Sequence, residues 1–388
     1  MNDALYKEAA DKFKTWYGCE HTAAAYAPGR VEVLGNHTDY NEGFVLSAAI
    51  NMGIFCLAAP SPDNTCRIVA GDLMKEASFD IDDASPDPDN MWANYVKGVF
   101  VGLRERCNIP TAFNLLFFSN VPLGSGLSSS AALEIGSGLC FCSLYDVEVP
   151  KLDMALIGQA AEHNYAGVMC GVMDQISSLY GKANQLVKSD FRSLEVENTP
   201  LGEDLCFLVC NTNAKHALVD GAYNERRQKC EEAAAFFAGV LDHPVTALRD
   251  VSMEEWTQHA PSMETYAAKR SAHVVGENTR VQQGSELLQK NDVAGFGQLM
   301  FDSHQSSIEN FENSCEELDF IVGLARQIPG ALGARLSGGG FGGSAVVLVH
   351  PRDVETVGQA ISGPYEKQFG HPCDVRMITP SEGAHIVV

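Results

Sequence analysis

No Cys-x-x-Cys occurs in this chain, although it carries 12 cysteines among 388 residues. The closest pairs, Cys140/Cys142 and Cys206/Cys210, have neither zinc-ligand spacing nor the density of a small disulfide scaffold, so reduced thiols in the cytoplasm are expected. Basic residues are also scarce: 27 Lys and Arg stand against 50 Asp and Glu, a formal net charge of −23. Such a surface repels a duplex, which argues against a nucleic-acid partner, and any polyanionic ligand must be held locally by oriented amides or a metal ion. Long apolar runs are missing. The longest, residues 44–60, is interrupted by Ser47, Asn51 and Gly53, and the opening Met1-Asn2-Asp3-Ala4-Leu5-Tyr6-Lys7 has no basic or apolar leader pattern. No membrane association is expected.

What is present is a large globular composition, 45% hydrophobic, in a chain long enough to bury about three quarters of its extended surface. Leu5, Ala9, Phe13 and Trp16 fall at helical spacing, and residues 23–34 alternate as a strand. Residues 44–57 read as two strands around Asn51-Met52-Gly53, and 80–90 as an acidic, proline-bearing loop. Helices are expected at 92–106, 131–144, 151–165 and 174–180, a buried strand at 114–120, and strands at 184–196 and 205–210. The chain is then mostly helical to 328, followed by a strand, Gly-rich turn and strand over 332–349, a helix near 353–367 and a strand near 374–378. Strands first, helices next and a strand pair late make an α+β pattern.

Four stretches carry chemistry. Pro122-Leu123-Gly124-Ser125-Gly126-Leu127-Ser128-Ser129-Ser130 joins a strand to a helix, where free amides suit a phosphate chain. It lacks the Walker lysine, and a plain Ser/Gly connector is the rival reading. Ser337-Gly338-Gly339-Gly340-Phe341-Gly342-Gly343 lies between two strands, so it does not open a helix as a dinucleotide fingerprint must. Close approach of its backbone to a ligand or to the first loop is the better reading. Gly29-Arg30-Val31-Glu32-Val33-Leu34-Gly35-Asn36-His37-Thr38-Asp39 gathers donors and acceptors suited to a polyhydroxylated ligand, or a polar turn. Finally, Asp174 after Gly171 reads as a helix cap or as a carboxylate that accepts a hydroxyl proton, and Glu162 offers a hard oxygen for Mg²⁺.

Together with Trp92-Ala93-Asn94-Tyr95-Val96-Lys97-Gly98 and Glu225-Arg226-Arg227-Gln228, these ordered stretches resemble the GHMP family of small-molecule kinases, and within it the galactokinases. The resemblance runs from about residue 12 to about 378. It implies a two-lobed fold, 1–200 and 201–388, with sugar and MgATP in a cleft between the lobes. It further implies Asp174 and Arg30 as the catalytic pair, with Asn36, His37, Asp39, Gly171 and Tyr223 as sugar contacts. Residues Gly124 to Ser130 would cradle phosphate, Trp92 would meet adenine, and Ser130 with Glu162 would hold Mg²⁺. The expected partners are galactose, or a related sugar such as N-acetylgalactosamine, and ATP, with a monomer expected. A non-catalytic sugar sensor would be free to lose Asp174, Arg30 and Glu162, and all three are present. One position departs from the family pattern: Asn36 stands where glutamate is usual. Loss of a charge-assisted bond there implies weaker galactose binding, restored by Asn36→Glu.

Overall fold

Ala9 and Phe13 line the buried face of the opening helix α1 (Asp3–Tyr17) and pack on a sheet that the next strands build. The computed structural model describes residues 3–122, 124–214 and 219–388. Leu123 of the glycine–serine loop lies outside them. In chain order come β1 (Ala23–Leu34), β2 (Phe44–Pro60), β3 (Thr65–Ala70), β4 (Lys75–Asp80), α2 (Met91–Arg104) and β5 (Phe113–Ser119). Then follow α3 (Ser129–Tyr145), α4 (Lys151–Ala161), α5 (Met173–Tyr180), β6 (Gln185–Asp190), β7 (Val196–Pro200) and β8 (Cys206–Asn211). The late helices are α6 (Val219–Val240), α7 (Met253–His259), α8 (Thr265–Gln289), α9 (Val293–Ser306) and α10 (Glu316–Ala325). β9 (Ala331–Ser337), β10 (Ser344–Val349), α11 (Val354–Phe369), β11 (Asp374–Ile378) and β12 (His385–Ile386) complete the order.

Two sheets result. The larger runs β12-β1-β2-β5-β3-β4, with β6 and β7 attached at β2, and the smaller runs β11-β8-β10-β9. Helices α2 to α5 cover one face of the larger sheet and α1 the other, while α10 and α11 back the smaller sheet. The halves share a core: Val31, Val33, Leu46 and Ile50 meet Phe207, Val209, Val346 and Leu348. The α+β reading therefore holds, with the two sheets fused through apolar side chains. The tail crosses the expected division at residue 200, because β12 pairs with Ala25 and Tyr26 of β1.

The structure departs from local expectation at several points. Residues 44–60 form one strand, not two: β6 pairs with its start, β1 with its middle and β5 with its end, so partners hold it extended through Asn51. The helix expected at 151–165 stops at Ala161 and continues as a single π turn, Glu162–Ala166. The β3–β4 hairpin, with its modest apolar content, was not foreseen at all.

The outer edge of β1 is closed piecemeal rather than by one strand. Ala24 N–H donates to the Val388 carbonyl, Arg30 N–H to Leu127, Glu32 N–H to the Ser337 hydroxyl, and Gly35 and Asn36 N–H to the Glu277 carboxylate. These five donors find partners in four separate parts of the chain. All twelve cysteines carry free thiols, and no helix among the described residues is long and apolar enough to cross a membrane.

Candidate active site

Side-chain parity along β1 decides where its charges point. Ahead of a bulge between Pro28 and Arg30, Ala25 and Ala27 face the helices; past it, Val31 and Val33 enter the shared core instead. The bulge thus turns Arg30 and Glu32 toward the side from which α5 approaches. There Arg30 forks onto Asp174, Nε–H donating to Oδ1 at 2.7 Å and Nη2–H to Oδ2 at 2.8 Å. Nη1–H donates to the Gly126 carbonyl at 2.7 Å, and the Ser128 hydroxyl donates to Asp174 Oδ2. The Asp174 carboxylate therefore serves no helix cap; Arg30 and Ser128 hold it in the open. Gly29 is required beside this pair, since a Cβ there would lie 2.5 Å from the Leu127 carbonyl.

Two pockets meet at Arg30, which lines both. The first, about 620 Å³, is walled by Gly124, Ser125, Gly126, Leu127, Ser128, Ser129 and Ser130 at the start of α3, and by residues 337–343 opposite. This is a backbone-rich, helix-N-terminal cradle of the kind that takes phosphate. The second, about 380 Å³, brings together Asn36, His37, Asp39, Gly171, Tyr223 and Asp174, with Glu32. Trp92 reaches neither pocket: its ring packs on Phe117 at 5.8 Å beside the helical core. Glu162 is buried in the π turn, where it accepts the Cys170 thiol at 2.5 Å.

The comparisons with known proteins agree with this architecture. The galactokinase galactose-binding signature matches residues 11–60, the GHMP kinase N-terminal domain 94–182 and the GHMP kinase C-terminal domain 285–367. The galactokinase of Actinobacillus pleuropneumoniae is 40% identical over 384 residues, 98% of each chain. That of Haemophilus influenzae is 42% identical over 367 residues, 93% of this chain and 94% of the relative. The chain belongs to the galactokinase family. The crystal structure of Lactococcus lactis galactokinase complexed with galactose superposes with a TM-score of 0.92 at 31% identity, covering 98% and 99% of the two chains. A mevalonate kinase at 16% identity and TM-score 0.63 shares the fold alone.

The family signature is held from behind by groups the sequence did not point to. Glu277, buried in α8, accepts the Gly35 and Asn36 amides at 2.8 and 2.9 Å and pairs with Arg280. Burial would raise the Glu277 carboxyl, but Arg280, His273, Arg335 and the Asn36 amide outweigh it and hold it well below the usual range. Asn36 is bonded within the protein on every side, to Glu32, Gly338 and Asn313. Gly171 must be glycine, because a Cβ there would lie 1.8 Å from the Asp39 carboxylate. A mid-helix glutamate or a lone asparagine such as Asn313 carries no sequence signal of this kind. Glu32 did carry one, a charge two residues from Arg30 in an otherwise apolar strand.

Two titrations follow. His37 is neutral: Nε2–H donates to the Gly339 carbonyl at 3.1 Å, so Nδ1 accepts the Tyr40 hydroxyl at 2.8 Å. Burial pushes His37 down to about 4, and His273, stacked with it around Phe311, down to about 3. Both lie below the unfolded value, so protonation favours unfolding. Their contribution is full above about pH 6.5 and is lost as pH falls through that value toward 4, on the order of 3 kcal/mol for His37 alone. Urea midpoints between pH 7.5 and 4.5 should fall accordingly; a flat profile contradicts the neutral pair. Asp39 moves the other way. Burial, then Glu32 and Asp174, raises it to about 7. If Asp39 accepts a sugar hydroxyl, the galactose KM should climb as pH falls below 7 and the carboxyl protonates. Asp39→Asn should abolish that slope while lowering affinity throughout.

Proposed function

We infer that this chain is a galactokinase in action as well as in family, transferring the γ-phosphoryl group of ATP to the C1 hydroxyl of galactose. The observation that carries the reading is Arg30, which grips Asp174 while lining both the phosphate-type pocket and the sugar-type pocket. In this reading Asp174 receives or orients the hydroxyl proton at the sugar end. Arg30, always charged, stabilises negative charge developing between the pockets. Amides from residues 124–130 and the opposing 337–343 turn hold the phosphates. Asp39, His37 and Tyr223 wall the sugar.

A divalent cation suits the residues at the start of α3. Ser130 and Glu134 lie one turn apart on that helix, and Glu134 faces Glu162. Burial and then Glu162 raise the Glu134 carboxyl well above its ordinary value, and its Oε1 has no partner among the described residues. Paired carboxyls with an orphaned oxygen fit a hard cation, and Mg²⁺ takes few protein ligands. Ser130 and Glu162 would hold it, and its charge would offset that of the phosphates. Glu162→Gln should raise the Mg²⁺ concentration for half-maximal rate severalfold; an unchanged requirement removes Glu162 from that role. The cytoplasm belongs to the same reading, supported by the free thiols. An ADP-release assay with galactose, N-acetylgalactosamine, mevalonate and no sugar tests the whole. Galactose should be preferred, and equal turnover of mevalonate, or none on any hexose, rejects it.

A further inference from the structure

The lining of the sugar-type pocket includes two hydrogen-bonded side chains that could read a hydroxyl, Asn36 and Glu32. Their free valences differ. Asn36 is 1% exposed, and its Nδ2 gives both hydrogens away, to Glu32 Oε1 at 2.9 Å and to the Gly338 carbonyl at 2.8 Å. Its Oδ1 already accepts from Asn313 Nδ2 at 2.9 Å. An amide has two donors, and here both are spent. Glu32 is the reverse case. Its Oε1 accepts from Asn36 and from Arg335 Nη1 at 2.8 Å, while Oε2 takes no hydrogen bond among the described residues. The side chain is 5% exposed and lines the pocket.

Arg335 explains why a carboxylate can sit there. Its guanidinium is fully buried, Glu32 is its only ion-pair partner among the described residues, and Nε and Nη2 are unpartnered. A buried cation with one counter-ion fixes that carboxylate in place. The Ser337 hydroxyl clamps the Glu32 backbone on both sides, accepting from its N–H at 3.0 Å and donating to its carbonyl at 3.1 Å. One oxygen of an anchored anion is therefore left over, aimed at ligand space. Arg30 and Glu32 are also two residues apart on one face of β1, roughly 6.5 Å along the strand. That separation suits the two ends of one pyranose ring.

We propose that Glu32, not Asn36, is the carboxylate that reads a hexose hydroxyl at the pocket end remote from Asp174, accepting it on Oε2. Asn36 is then a positioning residue that, with Arg335, sets the Glu32 rotamer. The proposal rests on the hexose reading above, and wild-type turnover of galactose is the control that separates the two. If the wild type ignores galactose, the functional reading fails; with an active wild type, the variants judge Glu32 alone.

The test crosses Glu32 variants with a sugar panel of galactose and its 2-, 4- and 6-deoxy forms. Glu32→Gln should raise the galactose KM at least tenfold with kcat within twofold, the pattern of lost uniform binding. For the one deoxy sugar that lacks the hydroxyl being read, the same substitution should change KM less than twofold. Glu32→Asp keeps the charge that Arg335 requires, so it serves as the test should Glu32→Gln fail to fold, and its shorter arm should give the same sugar-selective loss. An equal KM rise for every sugar means Glu32 only supports the fold and overturns the proposal. So does a galactose-bound crystal structure in which no hydroxyl lies within 3.2 Å of Glu32 Oε2, a hydrogen-bond limit.

Discussion

Asp174→Asn is expected to lower kcat by at least about 100-fold, the low end of what one positioned acid or base contributes. The galactose KM should stay nearly constant. The substitution preserves size, but an amide presents two donors where Arg30 presents two more and Ser128 a third. One arm of the Arg30 fork must then let go, and the group facing the sugar hydroxyl loses its charge in the same step. Steady-state kinetics over a galactose titration, with ADP release as readout, separates the two parameters. Turnover close to wild type would reduce Asp174 to an anchor for Arg30.

Asn36→Glu should damage the protein, which reverses what family resemblance alone implies. Asn36 Nδ2 stands 2.9 Å from Glu32 Oε1 and 2.8 Å from the Gly338 carbonyl. A carboxylate in that place meets two acceptors and donates to neither. Two buried like charges about 4 Å apart cost about 4 kcal/mol at an effective dielectric of 20. Taking up a proton at pH 7 to escape that repulsion costs a similar amount. Either way the variant should lose several kcal/mol in urea unfolding and bind galactose more weakly. Its deficit relative to wild type should shrink as pH falls from 7 to 5, because the new carboxyl has a raised folded pKa and its penalty fades on protonation. Both proteins keep the neutral His37 and His273 and lose their contribution over the same range, so the difference between the two urea midpoints reads the new carboxyl. A variant as stable as wild type with a lower galactose KM would show that the amide network is dispensable.

Ordered motifs in the sequence located most of this site, because a glycine–serine loop and a polar strand end are local signals. Arg30, Asp174 and residues 124–130 meet as expected, and so do His37, Asp39, Gly171 and Tyr223. What was illegible is what depends on long-range packing. Residues 44–60 hold the polar Asn51 in an unbroken strand only because three other strands pair with them in turn. Glu277 looks like any surface glutamate of an amphipathic helix, yet it is buried against two amides of the signature. Trp92 matches a family motif, but its ring is turned to Phe117. The roles of Asn36 and Glu32, four residues apart where β1 ends, could not be assigned from the sequence, since only Gly338, Asn313 and Arg335 reveal which of the two has spare valence.

The piecemeal closure of β1 sets a timetable for synthesis. Its backbone donors wait for Leu127, Glu277, Ser337 and Val388, which leave the ribosome at widely separated moments. At roughly 5–20 residues per second, the interval between β1 and β12 is on the order of tens of seconds. Throughout that time the strand bearing Arg30 has an open edge, the kind of surface that pairs with other nascent chains. The polypeptide is therefore most prone to aggregate before its smaller sheet exists, and a holding chaperone would have its greatest effect on this early species.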